Sequence, residues 1–303
     1  MKRAAVAGLA LLAAGCSSTV VAPPAPPNPP QPANLAFVDT PATTAATTGI
    51  KQAVETAFTY DSTDQGAVAK TEQEYLAGAA RTQFDQTFAQ VKTTPVKTKT
   101  QVLSTGVADL QPRSAKVLVV ASQQSSTPDG KTNAATALML VTAVPASGHW
   151  QLTDLNFDPR GALAPDAPAA SGAATTRDSA LAAAHQDGAI LLTLDAQNAD
   201  AVYDRYESVA ADPLLGQFRT TRAHTVDNMK ASGAKTSLDP QSVAALTSAT
   251  PDGKQATVLL GAIVSTQQKG GTQDRRLNVQ LTLVRQGAGW KVSGIESLGA
   301  TQS

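Results

Sequence analysis

Apolar residues in two stretches of the chain follow the spacing of one face of a helix. Ile50, Ala53, Val54, Ala57 and Phe58 recur at i, i+3, i+4, i+7 and i+8, which predicts an amphipathic helix packed on a core. Its counterpart in the second half carries Leu181, Ala184, Gly188, Leu191 and Leu192. A later helix in each half is predicted from Phe84, Phe88 and Val91 and from Leu214, Leu215, Phe218 and Met229.

After these helices the apolar period changes to two, which predicts strands. Thr98, Thr100 and Val102 alternate with charged and amide residues, as on a half-buried strand. The further predicted strands are Val117–Val120, Ala137–Val141 and Trp150–Leu155, followed by Val258–Leu260, Leu277–Leu283 and Trp290–Ile295. Helices followed by an antiparallel meander predict an α+β fold. We expect a curved sheet that wraps a long N-terminal helix, an arrangement that we call a roll.

The same order of residues occurs twice along the chain. Thr59-Tyr-Asp61 recurs as Thr193-Leu-Asp195 and Gln83-Phe84 as Gln217-Phe218, both at an offset of 134 residues. Trp150 recurs as Trp290 at an offset of 140, the slip expected when hairpin loops differ in length. Two tandem rolls of roughly 110 residues, each large enough for its own core, are therefore predicted.

The N-terminus has the pattern of a bacterial lipoprotein signal peptide. Lys2-Arg3 precede an apolar run from Ala4 to Ala14, and small residues lead into Cys16, the predicted lipidation site. The alternative is an ordinary secretory signal in which the cysteine has no role. Since more than one acyl chain gives stable anchoring, lipid on Cys16 would hold the protein at the extracytoplasmic face of the membrane. No other apolar run reaches the length of a transmembrane helix.

The predicted domain boundaries follow from these patterns and from composition. Residues 1–16 form the signal peptide ending at the lipidated cysteine, and 17–48 a Pro/Ala/Thr-rich tether with the extended character of polyproline. The first roll covers 49–160, a linker 161–176, and the second roll 177–300. We expect the rolls to reorient freely unless they share an apolar interface.

Composition and charge exclude several classes of function. Among 303 residues, Lys+Arg and Asp+Glu both number 24, so the chain lacks the basic stripe of a nucleic-acid-binding protein and the polybasic patch of a lipid-surface protein. Cys16 is the only cysteine, which rules out an intramolecular disulfide. The sequence contains no glycine-rich phosphate loop, zinc-ligand cluster or nucleophile elbow.

Candidate site residues are few. His149, His185 and His224 have no partner at metal-ligand or triad spacing, and Asp61 and Asp195 suit helix capping better than acid chemistry. Trp150 and Trp290 are candidates for partner or ligand contact, with core closure as the alternative interpretation. Arg275 and Arg276 could bind an anionic partner or headgroup, or could be charged residues that protect a strand edge. No catalytic residue, metal or cofactor is predicted.

The order of these motifs resembles the mammalian-cell-entry (Mce) associated protein family of actinobacteria. The resemblance rests on the Asp61 and Asp195 breaks, on Arg275-Arg276, and on the closing strand that starts at Trp150 or Trp290. It implies a cystatin-like roll related to nuclear transport factor 2. It also implies a non-catalytic accessory or scaffold role beside Mce or permease subunits that move lipids across the envelope. The alternative is a binding module that carries a lipid in the apolar pocket of a roll. Closure of the rolls by Phe84, Trp150, Phe218 and Trp290 would favour the scaffold.

Overall fold

The structure is a computed structural model, which describes residues 32–88, 95–163, 172–268 and 271–299. Residues Gln31–Ser303 form one compact unit that contains both copies of the repeat. The predicted signal peptide and Cys16 lie outside the described residues. None of the helices within the described ranges has both the length and the apolar character needed to cross a lipid bilayer.

Each copy places its helices before its strands, as predicted. The first copy contains α1 (Thr40–Ala57), β1 (Tyr60–Asp61), α2 (Gln65–Tyr75), α3 (Gly78–Phe88), β2 (Lys97–Gln111), β3 (Ser114–Ser126), β4 (Thr132–Ala146) and β5 (His149–Asn156). The second contains α4 (Gly172–Leu191), β6 (Leu194–Asp195), α5 (Ala199–Val209), α6 (Leu214–Ser232), β7 (Lys235–Leu238), β8 (Val243–Ala249), β9 (Gln255–Gln268), β10 (Gly271–Gln286) and β11 (Gly289–Ser297). We call residues 40–156 the first roll and 172–297 the second roll. The α+β fold is confirmed.

Helix α1 begins earlier than its apolar stripe suggests. The Asp39 side chain caps it by accepting a hydrogen bond from Ala42 N, and a proline occupies its first turn, both of which favour a helix start. Thr43 and Ala46 extend its buried face toward the N-terminus. Residues 40–48 of the predicted tether are therefore helical, and α4 likewise begins inside the predicted linker, at Gly172.

The strands of both rolls repeat the same irregularities. In each roll the penultimate strand shifts register opposite one extra residue of the last strand, Thr153 in the first roll and Ser293 in the second. The hydroxyls of these two residues donate to Thr142 O and Thr282 O respectively. A parallel bridge also joins Leu76 to Leu152, and Ala210 to Val292. These shared bulges and bridges show that both copies have one fold.

Each roll has its own apolar core between helices and sheet. In the first roll, Ile50, Ala53 and Val54 of α1 are fully buried against the inward-facing residues of β2 to β5. In the second, α4 packs through Ala180 and Ala184 on the inward face of β8 to β11. Within the described residues, the helix faces and strands predicted from periodicity match these cores. Val91 and the side chain of Phe88 lie outside what the structure describes.

The two sheets also pack on each other through their outer faces. Leu118, Val120 and Leu138 of the first roll form one buried cluster with Val243 and Leu259 of the second; Ala108 and Ala245 complete it. The approach is close, because a Cβ added to Gly261 would lie 2.3 Å from Leu138 Cδ2. Val107 of β2 pairs with Leu246 of β8, so that the sheet runs continuously from β11 to β5. The rolls thus share an apolar interface, the condition under which free reorientation is not expected.

Candidate functional site

Aromatic rings fill the helix side of both rolls. In the first, the rings of Phe58 and Phe84 meet edge to face with centroids 5.4 Å apart, and Phe157 lies 6.5 Å from Phe58. In the second, Tyr203 lies 5.8 Å from Phe218, and its hydroxyl donates to Phe218 O at 2.8 Å. Such edge-to-face contacts stabilise a filled core. Phe84 is thus buried in the core of the first roll, whereas the half-buried Phe218 packs against both the α5–α6 cluster and the core of the second roll.

Both tryptophans contact the long N-terminal helix of their own roll. The Trp150 ring covers Gly49 of α1, where an added Cβ would lie 2.1 Å from Cδ1. The Trp290 ring is buried, and its Nε1 donates to Ser179 Oγ of α4 at 3.0 Å. These contacts pack the long helix against the start of the last strand. Most of each indole is therefore in contact with the protein's own residues.

The two arginines proposed as partner contacts have different surroundings. Arg276 forms an ion pair with Asp158 and donates to Pro159 O at 3.3 Å, so its guanidinium connects the second roll to the chain that follows β5. Arg275 is exposed on β10, beside the ion-paired residue. Of this pair, Arg275 is the residue that faces solvent.

Two of the three histidines and both capping aspartates have structural partners, while burial lowers the pKa of His185. His149 Nε2 lies 2.9 Å from Glu74 O, and His224 Nε2 lies 3.0 Å from Asn228 Nδ2. Hydrogen bonds from the Thr63 hydroxyl and backbone N–H, together with Lys97, lower the pKa of Asp61 to about 2. Among the described residues, no group of three or more His, Cys, Asp or Glu side chains could hold a metal ion.

Asp187 on α4 is a buried carboxyl that the sequence patterns do not single out. Its side chain faces the core of the second roll with the residue 7 % exposed, and Oδ2 has no hydrogen-bond partner in the described structure. Burial raises the pKa of Asp187 to about 6, although the nearby Lys291 ammonium opposes the rise. The repeat offset of 134 residues could have identified it, because the matching position in the first roll is the fully buried Ala53.

The segment Ala33–Phe37, which we call the strap, binds both rolls just before α1. Asn34 accepts from Leu110 N at 3.0 Å and donates to Ala108 O at 2.8 Å, and Leu35 N donates to Leu110 O. From the second roll, the buried Arg177 guanidinium donates to the carbonyls of Asn34 and Ala36 at 2.9 and 3.0 Å. Hydrogen bonds from a buried charged group are worth about 1.5–3 kcal/mol, so the strap is firmly held.

A groove of about 690 Å³ lies beside the strap, at the junction of the two rolls. Phe37, which packs against both cores and has a positive φ of 61°, forms part of its wall. The remaining lining comes from the first turns of α1 and α4, the β8–β9 turn and Arg285, and it is rich in threonine: Thr40, Thr43, Thr44, Thr47, Thr176, Thr247 and Thr250. This groove, with its many threonines, lies outside both rolls.

Comparisons with known proteins give only distant similarities. No protein-family model and no curated protein matches the sequence. A periplasmic fragment of TraM is similar at 13 % identity and a TM-score of 0.33, covering 41 % of this chain and 97 % of that one. An IcmL-like type IV secretion system protein from Legionella pneumophila has 12 % identity and a TM-score of 0.34 over 42 % of this chain and 95 % of its own. An Ntf2-like protein involved in plasmid conjugation covers 82 % of this chain and 94 % of its own at 13 % identity, with a TM-score of 0.26. No function follows from similarities this low.

Proposed function

We propose that this protein is a non-enzymatic accessory protein of the cell envelope that acts as a rigid scaffold. In this proposal, lipid on Cys16 holds it on the extracytoplasmic face of the membrane, where it stabilises a lipid-transport complex of the Mce type. The observation that carries the proposal is the filling of both rolls combined with their direct packing on each other.

The filled rolls favour a scaffold over an enzyme. Enzymes on comparable rolls hold a titratable group beside a substrate-sized space. Here that space holds the aromatic rings around Phe84 and Phe218, and the capping role of Asp61 accounts for its low pKa. The two rolls instead present a large fixed surface, since a close-packed sheet interface resists rotation.

The alternative, a module that carries a lipid in the roll, requires an open apolar cone. The rings that fill each roll would have to move to make room for an acyl chain. The groove beside the strap is a poor substitute, because seven of its seventeen lining residues are threonines that bring hydroxyls to the wall, whereas lipid sites carry few polar groups. Co-purification of stoichiometric lipid with the full-length chain would revive this alternative.

Site-specific photo-crosslinking in native membranes tests the scaffold proposal. A photoreactive residue at Thr44, in the groove, is compared with one at the exposed Asp227 on α6. The proposal expects Mce or permease subunits to be captured from one surface and not from the other. Absence of any envelope-transport subunit from both positions would contradict it.

Membrane attachment is tested separately with Cys16→Ala. The variant should leave the membrane fraction and remain folded, because the described fold begins after residue 31. Retention of the variant in washed membranes would contradict the lipid anchor and leave the scaffold proposal to the crosslinking result.

A further inference from the structure

The last strands of the two rolls differ at the edge of the sheet, although the rolls share one fold. Strands β5 and β11 lie at the two ends of the strand order β11-β10-β9-β8-β2-β3-β4-β5. In each, the first half of the edge is closed by the chain that follows the second helix: Ala77 N donates to Leu152 O and Ala211 N to Val292 O. Beyond this point the two edges are different.

The edge of β5 is closed by a side chain from α3. Gln83 Oε1 accepts from Leu155 N at 2.8 Å, and its Nε2 donates to Asp154 Oδ1 at 3.0 Å. Leu155 is 2 % exposed. The outward N–H of Leu155 is therefore not available to another strand.

The corresponding edge of β11 is open. Leu298 N donates to Asn278 O. The pairing of β10 with β11 is then regular from Val279 opposite Ser297 to Thr282 opposite Gly294. By the alternation of an antiparallel ladder, the N–H and C=O of Ile295 therefore point away from β10. Within the described residues, no hydrogen bond reaches them.

The glutamine that closes β5 has an equivalent in the second roll, but it is placed differently. Gln83 is the sixth residue of α3, whereas Gln217 is the fourth residue of α6. Gln217 is exposed and makes no hydrogen bond through its side chain in the described structure. Ile295, the equivalent of Leu155, is accordingly 39 % exposed.

We propose that the β11 edge pairs with the β11 edge of a second copy of this chain, antiparallel and centred on Ile295. In this register the N–H of Ile295 in each copy donates to the C=O of Ile295 in the other copy. The two exposed isoleucine side chains then meet on one face of the sheet. Glu296 lies opposite Gly294 of the other copy, so no like charges are opposed.

The asymmetry between the two edges also limits the proposed pairing to two chains. An isologous contact uses the same patch on both copies and closes on itself, whereas growth into a filament needs a second free edge. In the described structure that second edge, β5, is closed at Leu152 and Leu155. With no net charge on the chain, long-range repulsion does not oppose association.

Disulfide trapping of the full-length chain in its native membranes tests the pairing. Cells carry Ile295→Cys, and copper–phenanthroline in air is the oxidant that joins two thiols. The paired register brings the two Cα atoms to about 5.5 Å, within the range that a disulfide spans. The matched control is Leu103→Cys on β2, whose exposure of 38 % is close to the 39 % of Ile295.

The proposal expects a covalent dimer from Ile295→Cys that reductant abolishes, and only monomer from Leu103→Cys and from the unmodified chain. Glu296→Cys should trap much less dimer, because its copies lie on opposite sides of the two-fold axis. Equal trapping at positions 295 and 103, no dimer at 295, or a conjugate with a different protein at 295 would each overturn the self-pairing.

A second variant tests the pairing without forming a disulfide. Ile295→Lys places two ammonium groups opposite each other across the two-fold axis, which should prevent the pairing. A crosslinker that does not react with amines should therefore yield no dimer from the extracted variant. Persistence of the dimer in Ile295→Lys would also overturn the proposal.

Discussion

Replacing Asp187 by Asn should stabilise the protein at neutral pH and have little effect in acid. The carboxyl is buried on α4 with an unpartnered oxygen, and its pKa is raised from 3.8 to about 6. At about 1.4 kcal/mol per pKa unit, complete ionisation of Asp187 costs the native state about 3 kcal/mol. The asparagine variant carries no such cost.

The direction with pH follows from proton binding in the two states. A pKa raised in the folded state means that the native protein binds the proton more tightly than the unfolded chain does. The stability that Asp187 contributes when protonated is fully present below the unfolded pKa and is lost as pH rises through about 6. The gain from Asp187→Asn should therefore be about 0.5 kcal/mol at pH 4 and about 3 kcal/mol at pH 8.

Urea unfolding at the two pH values, followed by tryptophan fluorescence, measures this gain. Any effect of the substitution that does not depend on pH cancels in the difference between pH 4 and pH 8. Asp227→Asn, on an exposed face of α6, removes the same formal charge and should show no comparable difference. A change in stability that is no more favourable at pH 8 than at pH 4 would refute the reasoning, because it would mean that the ionised carboxylate is satisfied in the native state.

Three further predictions concern packing and edge closure. Gly261→Ala should destabilise by about 1–3 kcal/mol because its Cβ would lie 2.3 Å from the opposing leucine, whereas Gly289→Ala, with open space around it, should change thermal stability little. Arg177→Met leaves two strap carbonyls without donors and should destabilise by about 2–4 kcal/mol, with faster amide exchange in the strap. Gln83→Ala strips the acceptor from a strand-edge N–H and should lose about 1–3 kcal/mol in urea unfolding, while Gln217→Ala should be neutral.

Periodicity and repetition in the sequence were enough to predict the fold of each roll. The i, i+3, i+4 stripe through Ile50 and the alternation through Thr98 and Val102 reflect burial on one face, and the structure buries those faces. The start of α1 at Thr40 was missed because Thr and Ala give a weak apolar pattern, although Asp39 and the following proline are recognisable start signals.

The contact between the rolls and the features of the candidate site could not be predicted in the same way. Residues such as Leu118 and Leu259 form the outer faces of the two sheets. Because they lie in continuous apolar strands, the sequence does not indicate what packs on them. Arg177 lies four residues before Leu181 and Asp187 three residues after Ala184, so both share the apolar side of the α4 pattern, but a charged residue there gives no sign that it will be buried. Arg177 is buried against the strap, which is distant from it in sequence.

The strap has a mechanical consequence. A pull on the chain that precedes residue 33 reaches the folded part through four hydrogen bonds to the first roll, made by Ala33, Asn34 and Leu35. It reaches the second roll at the same time through the two hydrogen bonds of Arg177. Tension is thus divided between the two rolls at their junction before it reaches α1, so neither roll has to bear the load alone.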